Sequence, residues 1–154
     1  IDGLLHRALS VLIFNSSGEL LLQRRAMDKY HSPGLWTNTC CSHPRPGEDT
    51  AAAAHRRLKE EMGMKVMLTH GFSFIYKAEF DNSLTEHELD HVYLGKSDDL
   101  PELNPEEAME YKFVNPDRLI EDMKENPSNY TVWFRIIMLD HFSKIYQKLT
   151  YESV

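Results

Sequence analysis

The segment Trp36-Thr37-Asn38-Thr39-Cys40-Cys41-Ser42-His43-Pro44 sets a thiol, Cys41, and an imidazole, His43, two positions apart. Farther along, Thr85-Glu86-His87-Glu88-Leu89-Asp90 sets two carboxylates, Glu86 and Glu88, at the same spacing. Side chains of an extended strand alternate between faces, so Cys41 and His43 share one side while Cys40 and Ser42 point to the other. Glu86 and Glu88 likewise share a face. Imidazole and carboxylate groups gathered on one side can hold a divalent ion while a neighbouring thiol moves a proton. The two segments are therefore expected to meet around one ion.

The elements that must carry these residues can be read from local patterns. Leu4 to Phe14 is apolar and β-branched, Asn15-Ser16-Ser17-Gly18 is a turn signal, and Glu19 to Arg24 resumes as a strand, which predicts a hairpin. Lys29 to Gly34 reads as a loop crossing toward the Cys41 strand. From Thr50 to Met62, Ala51, Ala54, Leu58 and Met62 recur at helical spacing and Gly63 stands as a stop. Strands are predicted over Lys65 to Glu79 and Glu88 to Gly95, joined by a turn near Asp81-Asn82-Ser83, and over Glu110 to Val114. Asn115-Pro116-Asp117 is a helix start. Tyr130 to Lys148 reads as one long helix carrying Trp133, Phe134, Ile137, Met138, His141, Phe142 and Ile145 toward the sheet. Trp36 is expected to pack under the Cys41 strand. Mixed strands and helices in this order indicate an α/β sandwich rather than a doubly wound parallel sheet.

With 154 residues the chain suits one domain with a real core. Acidic residues outnumber basic ones by 24 to 17, which argues against a protein that binds nucleic acid by neutralising many phosphates. Two local basic clusters, Arg24, Arg25 and Lys29, then Arg56, Arg57 and Lys59, still suit a small anion. The two cysteines are adjacent and poorly placed for a disulfide, so a reducing, cytoplasmic home is expected. No apolar run approaches the roughly 18 residues of a membrane span. The first residue is Ile1 and not methionine, so residues are expected to precede it.

The run Ser42-x5-Glu48-x7-Arg56-Arg57-Leu58-Lys59-Glu60-Glu61-Met62-Gly63 resembles the Nudix box, a strand, loop and helix that present carboxylates to a divalent metal on a diphosphate. Mg²⁺ takes oxygen ligands and often binds through one or two carboxylates plus substrate phosphates, which makes Glu61 its candidate ligand. Two departures stand out. Ser42 replaces the usual glycine, and Arg57 replaces a glutamate that helps hydrolases of this kind activate water. Arg57 also lies one turn before Glu61, where it can pair with that acid or reach a phosphate. Diphosphate binding is kept, and water activation is lost.

Taken with Leu5-His6-Arg7-Ala8, Leu22-Gln23-Arg24-Arg25-Ala26, Lys29, the Trp36 to Pro44 block, Glu86-His87-Glu88 and Trp133, the pattern closely resembles the type I isopentenyl diphosphate isomerases, a divergent Nudix branch. The resemblance runs in order along nearly the whole chain. It implies a single Nudix-like domain over residues 1–154, an α+β fold whose mixed sheet is sandwiched between helices. It also implies Mn²⁺ or Zn²⁺ on His6, His43, Glu86 and Glu88, with one further family histidine upstream of His6 that this chain lacks. Mg²⁺ would sit with the diphosphate on Glu61, facing the main-chain carbonyl of Cys41. His31, His55, His70, His87, His91 and His141 gain no such support and are read as structural.

The reaction implied is a 1,3 proton shift through a tertiary carbocation, which needs solvent excluded and electron density from a neutral group. The resemblance assigns that group to Trp133, whose indole face attracts cations. It assigns the two proton carriers to Cys41 and to Glu88 with Tyr76. A cation or metal near Cys41 is expected to lower its pKa, and Cys41 is expected to abstract while the Glu88 and Tyr76 side donates, although sequence does not decide which is acid and which is base. Arg25, Lys29 and Arg57 are expected at the diphosphate. The expected partner is a small-molecule diphosphate, bound by a monomer or homodimer. Two alternatives stay open: a Nudix pyrophosphohydrolase, opposed by Arg57, and a catalytically silent metal- or ligand-binding domain.

Overall fold

A computed structural model describes residues 4–79 and 85–149. The elements are β1 (His6–Phe14), β2 (Leu20–Arg25), β3 (Trp36–Thr37), β4 (Cys40–Ser42), α1 (Thr50–Met62), β5 (Thr69–Glu79), β6 (Thr85–Lys96), β7 (Ala108–Val114), α2 (Pro116–Glu125), α3 (Val132–Asp140) and α4 (Phe142–Gln147), with a 3₁₀ turn at Pro127–Asn129. The strands form one mixed sheet in the order β3-β2-β1-β6-β5, with β4 added to β1 and β7 to β2. β1 runs parallel to β6, and the other pairings are antiparallel. Helix α1 covers one face and α2 to α4 the other, which is the expected sandwich.

Alternation sorts the core. Leu9, Val11 and Ile13 of β1 join Leu21, Cys40 and Tyr93 beneath Ala53, Ala54, Leu58 and Met62 of α1. Leu12 and Phe14 join Phe72, Phe74, Tyr76, Val92 and Leu94 against Met123, Trp133, Phe134, Ile137 and Ile145. Each large apolar side chain so buried contributes about 1.5–3 kcal/mol.

The expected hairpin forms, but its two strands pair only at Phe14 and Leu20 before diverging. Polar residues of the β3–β4 turn fill the opening. Thr39 Oγ1 accepts from the Ile13 amide at 3.0 Å and donates to the Leu21 carbonyl at 2.6 Å, so a single hydroxyl stands in for a missing rung of backbone pairing. β4 then occupies the edge of β1 that β2 leaves, with Leu9, Ser10 and Val11 opposite Ser42, Cys41 and Cys40.

Helix α1 has the expected limits. Asp49 caps it by accepting from the Ala52 amide at 3.0 Å. Gly63 ends it at φ 64°, where a side chain would also collide with the Glu102 carbonyl. β5 begins at Thr69 and not at Lys65, because residues 65–68 contribute side chains such as Val66 to the core without joining the ladder. The turn expected near Asp81 lies outside the described residues. Trp36 packs at the edge of the α3-side core, with the Lys112 ammonium 4.2 Å from its ring centroid.

The C-terminal stretch corrects the expectation of one long helix. It breaks at His141 (φ −124°, ψ 5°) into α3 and α4. The His141 ring packs against Phe72 and Phe74 of β5, with centroids 5.1 and 5.2 Å away. That contact takes residue 141 out of helical geometry and lets α4 follow the sheet.

Candidate active site

Register across the sheet assembles the site. Tyr76 of β5, Glu88 of β6 and His6 of β1 are in-register neighbours and so project to the same face, the one covered by α3. Asp90 and Ala8 form the next row, and Ser10, opposite Cys41, the one after. A cavity of about 570 Å³ opens at this end of the sheet, bordered by Ser10, Cys41, His43, Tyr76, Glu86, Asp90 and Trp133 and by Arg25, Lys29, Arg57, Glu61 and Glu107, while Glu88 lies outside its lining.

Cys40 and Cys41 part company as strand alternation requires. Cys40 is fully buried in the α1-side core, while Cys41 packs toward α3 and reaches the cavity. Arg25 Nη1 lies 3.4 Å from Cys41 Sγ, and its guanidinium carbon is 5.3 Å from the centroid of the Trp133 ring. Burial nevertheless pushes the Cys41 thiol up to about 11 against the lowering effect of Arg25. This differs from the expected lowered value because desolvation outweighs the one nearby guanidinium.

His43 Nε2 lies 2.7 Å from Glu88 Oε1, and that hydrogen bond raises the imidazole pKa despite the opposing effect of burial. Among the described residues the second Glu88 oxygen, Oε2, is buried without a partner. Tyr76 donates a 3.4 Å hydrogen bond to Glu86, and burial pushes its phenol far up, so it stays protonated. Burial also raises the Glu86 carboxyl. Ser10 donates to Asp90 Oδ2 at 2.9 Å, and burial lifts Asp90 to about 7 while its Oδ1 has no partner.

The four expected ligands, His6, His43, Glu86 and Glu88, do not form a ready-made shell. Among the described residues no three His, Cys, Asp or Glu side chains cluster closely enough to hold an ion. His6 is exposed on its strand, and His43 turns its ring nitrogen to Glu88 instead. A cation still fits this end of the sheet chemically, because the unpartnered Glu88 oxygen is a buried acceptor that lacks a positive or hydrogen-bonding counterpart.

The three expected cations also border the cavity, each already engaged with an acid or a main-chain oxygen. Lys29 pairs with Glu107 at 2.5 Å. Arg57 reaches Glu60 and Glu61, both at 2.6 Å, Glu107 at 3.2 Å, and Ser42 Oγ at 3.0 Å. Arg25 donates from Nε to the His31 carbonyl at 3.1 Å. Glu61 is buried and also accepts from Gln23 at 3.0 Å. Against the cost of burial, Lys29 and Arg57 hold the Glu107 carboxyl below its ordinary value.

Several site residues escaped the sequence reading. Asp90 continues the period of Glu86 and Glu88 on the same face, a signal that was available but not extended by one step. Ser10 and Asn38 carried no comparable signal, since one is a lone hydroxyl in an apolar strand and the other an amide in a turn-like tripeptide.

A family model described as the NUDIX domain matches residues 4–134. The isopentenyl-diphosphate Delta-isomerase of Pectobacterium atrosepticum is 53% identical over 136 residues, which span 88% of this chain and 76% of that protein. Isopentenyl-diphosphate Delta-isomerase 2 of Photorhabdus laumondii is 49% identical over 152 residues, spanning 99% and 81%. Among solved structures, the MutT protein of Methanosarcina mazei superposes with a TM-score of 0.77 at 20% identity, over 96% of this chain and 99% of that one. The dihydroneopterin triphosphate pyrophosphohydrolase of Escherichia coli superposes with a TM-score of 0.66 at 13% identity, over 88% and 90%. At such identities these two likenesses show the fold alone.

Proposed function

The chain belongs to the Nudix family and, within it, to the isopentenyl-diphosphate Delta-isomerases, and from that membership we propose how its cavity converts isopentenyl diphosphate to dimethylallyl diphosphate. The observation that carries the assignment is the cavity border shared by Cys41, Tyr76 and Trp133, with Glu88 in register beside Tyr76. Moving the double bond requires a proton added at the terminal carbon and another removed two carbons away. Cys41 on β4 and Glu88 on β6, with its in-register neighbour Tyr76 on β5 turned to Glu86 by its hydroxyl, supply the two carriers, one at each flank of the hydrocarbon.

The intermediate is a tertiary carbocation, and water would capture it. Trp133, 5% exposed, lends the face of its indole to the positive carbon without offering a nucleophile. Arg25 now lies over that ring, so the face is already disposed toward a cation.

Arg25, Lys29 and Arg57 bind the diphosphate, with Lys29 and Arg57 exchanging carboxylate partners for phosphate oxygens. Glu61 would hold Mg²⁺ there, as an all-oxygen setting suits that ion. Glu88, with His43 and Glu86, would hold Mn²⁺ or Zn²⁺ at the hydrocarbon end. His6 joins this set only by moving its ring. Such an ion, when bound, supplies a fixed positive charge that orients the Glu88 carboxyl. Arg57 in place of an acid leaves no multi-carboxylate centre to activate water, which disfavours the hydrolase reading. A cytoplasmic setting is part of the proposal. No helix among the described residues is long and apolar enough to cross a membrane.

The raised thiol pKa bears on direction. Burial favours the protonated form of Cys41, which suits it to donate, whereas the resemblance led to the expectation that it accepts. Because the shift is reversible, each carrier donates in one direction and accepts in the other.

Incubation with isopentenyl diphosphate and Mg²⁺ in D₂O tests the reaction. Dimethylallyl diphosphate carrying one new deuterium in its methyl groups is expected; phosphate release without isomerisation, or no turnover at all, would overturn the assignment. In Cys41→Ala, deuterium appearing at the terminal carbon of recovered substrate identifies Glu88 and Tyr76 as the forward donor. Its absence there, with exchange retained in Glu88→Gln, assigns donation to Cys41.

A further inference from the structure

Asn38 is wholly buried, and every hydrogen-bonding capacity of its amide is used. Nδ2 donates to the carbonyls of Val11 at 3.2 Å and Cys40 at 2.6 Å. Oδ1 accepts from Trp133 Nε1 at 3.2 Å and from Thr37 Oγ1 at 2.8 Å. Thr37 Oγ1 also lies 2.8 Å from Thr131 Oγ1, where either hydroxyl can donate, and its side chain reaches the Cys41 thiol. Thr131, Thr37 and Asn38 thus form one buried chain of hydrogen bonds, with the indole arriving at the Asn38 oxygen. Reversing the amide would set Nδ2 against the Trp133 N–H and Oδ1 against two carbonyls, so only one orientation satisfies the site.

The ends of this network are the two groups whose separation the reaction depends on. The Cys40 carbonyl belongs to the peptide unit whose nitrogen is that of Cys41, so the 2.6 Å bond fixes the plane from which the thiol projects. Trp133 is the second residue of α3, and Thr131, which caps that helix, also donates its amide to the Trp36 carbonyl at 3.1 Å. One buried amide thus ties β1, β4 and α3 together behind the cavity wall. Asn38 itself does not border the cavity.

Resting on the isomerase reading, we propose that Asn38 is a positioning residue that holds the Trp133 indole and the Cys41 thiol in fixed relation across the bound hydrocarbon. It touches no reacting atom. Its amide sets the angle of the indole face and the direction of the sulfur together, so its loss misplaces both flanks while leaving the diphosphate end intact. A displacement of that kind costs roughly 10²-fold in turnover and little in substrate affinity.

Asn38→Asp keeps the shape and removes both donors, and Thr37→Val with Thr37→Ser separates loss of the relay hydroxyl from its retention. For each, kcat and KM are measured per folded molecule. The indole N–H resonance of Trp133 is recorded by ¹H–¹⁵N NMR in a Trp36→Phe background, where it is the sole tryptophan. Expected are a fall in kcat of roughly 10²-fold in Asn38→Asp, KM within about threefold, a shifted indole resonance in Asn38→Asp and Thr37→Val, and restoration of both readouts in Thr37→Ser. An unmoved indole resonance, unchanged kcat, or a change in KM alone overturns the proposal. Should Asn38→Asp fail to fold, the two Thr37 variants decide. Should the wild-type protein not isomerise the substrate, the activity falls, and the indole resonance alone decides whether Asn38 governs the ring.

Discussion

Cys40 and Cys41 are consecutive in β4 yet stand in different cores, Cys40 under α1 and Cys41 beside Trp133 and Arg25. Cys41→Ala is expected to remove measurable turnover. Cys40→Ala should keep most of it and show its effect in stability, with a loss of roughly 1–2 kcal/mol for a small cavity. Steady-state kinetics and urea unfolding on both variants check this. Turnover lost in Cys40→Ala and kept in Cys41→Ala would reverse the facial assignment.

The stability of metal-free protein should fall as pH rises through the weakly acidic range. Burial lifts Asp90 from 3.8 to about 7, so the folded state binds a proton that the unfolded chain releases above its lower value. Stability therefore declines between about pH 4 and 7, by at most roughly 4 kcal/mol. His43 adds to the trend from higher pH. Glu88 raises its folded pKa above 6.5, so its contribution is present below that value and is lost as pH rises through the folded one. Asp90→Asn should flatten the lower part of the curve, since Ser10 can still donate to the new amide oxygen, and His43→Gln the upper part. Unfolding in urea at several pH values with a chelator present measures both.

Much of this was legible in advance. Alternation alone separated the two cysteines, and the spacing of Ala54, Leu58 and Met62 with Gly63 behind them located α1 to the residue. The pairings that local pattern cannot express were not legible. Nothing in the chain around Thr39 announces that its hydroxyl substitutes for a rung between β1 and β2, and the break at His141 arises from two phenylalanines nearly seventy positions away. The lowered thiol pKa failed for a related reason. Sequence shows that a cation is near Cys41, but the weight of desolvation appears only once the neighbours are packed around it.

Arg57 carries three ion pairs with one planar fork, and this makes Arg57→Lys a sharper test than Arg57→Ala. An ammonium keeps the charge but cannot span Ser42, Glu60, Glu61 and Glu107 at once. Buried Glu61 would then lose its charged partner and keep Gln23 and the Cys40 thiol as donors. A stability loss of about 1–3 kcal/mol is expected, along with a several-fold rise in KM for the diphosphate and a smaller change in kcat. A variant that matches wild type in both unfolding and KM would show that Arg57 is a solvated surface charge, contrary to its place in the cavity wall.

Trp133 offers two separable properties, an aromatic face and an N–H that reaches Asn38. Trp133→Phe keeps a weaker face and gives up the hydrogen bond, whereas Trp133→Leu fills much of the space with no quadrupole. If the ring stabilises the carbocation, turnover should order as Trp, then Phe, then Leu. A desolvated cation–π contact of about 2 kcal/mol corresponds to roughly 30-fold in rate, and that is the least the leucine variant should lose. KM should move little, because the positive charge exists only along the reaction path and not in the bound substrate. Equal turnover in the phenylalanine and leucine variants would mean that the indole acts only by filling space. The rate would then have to come from elsewhere in the pocket.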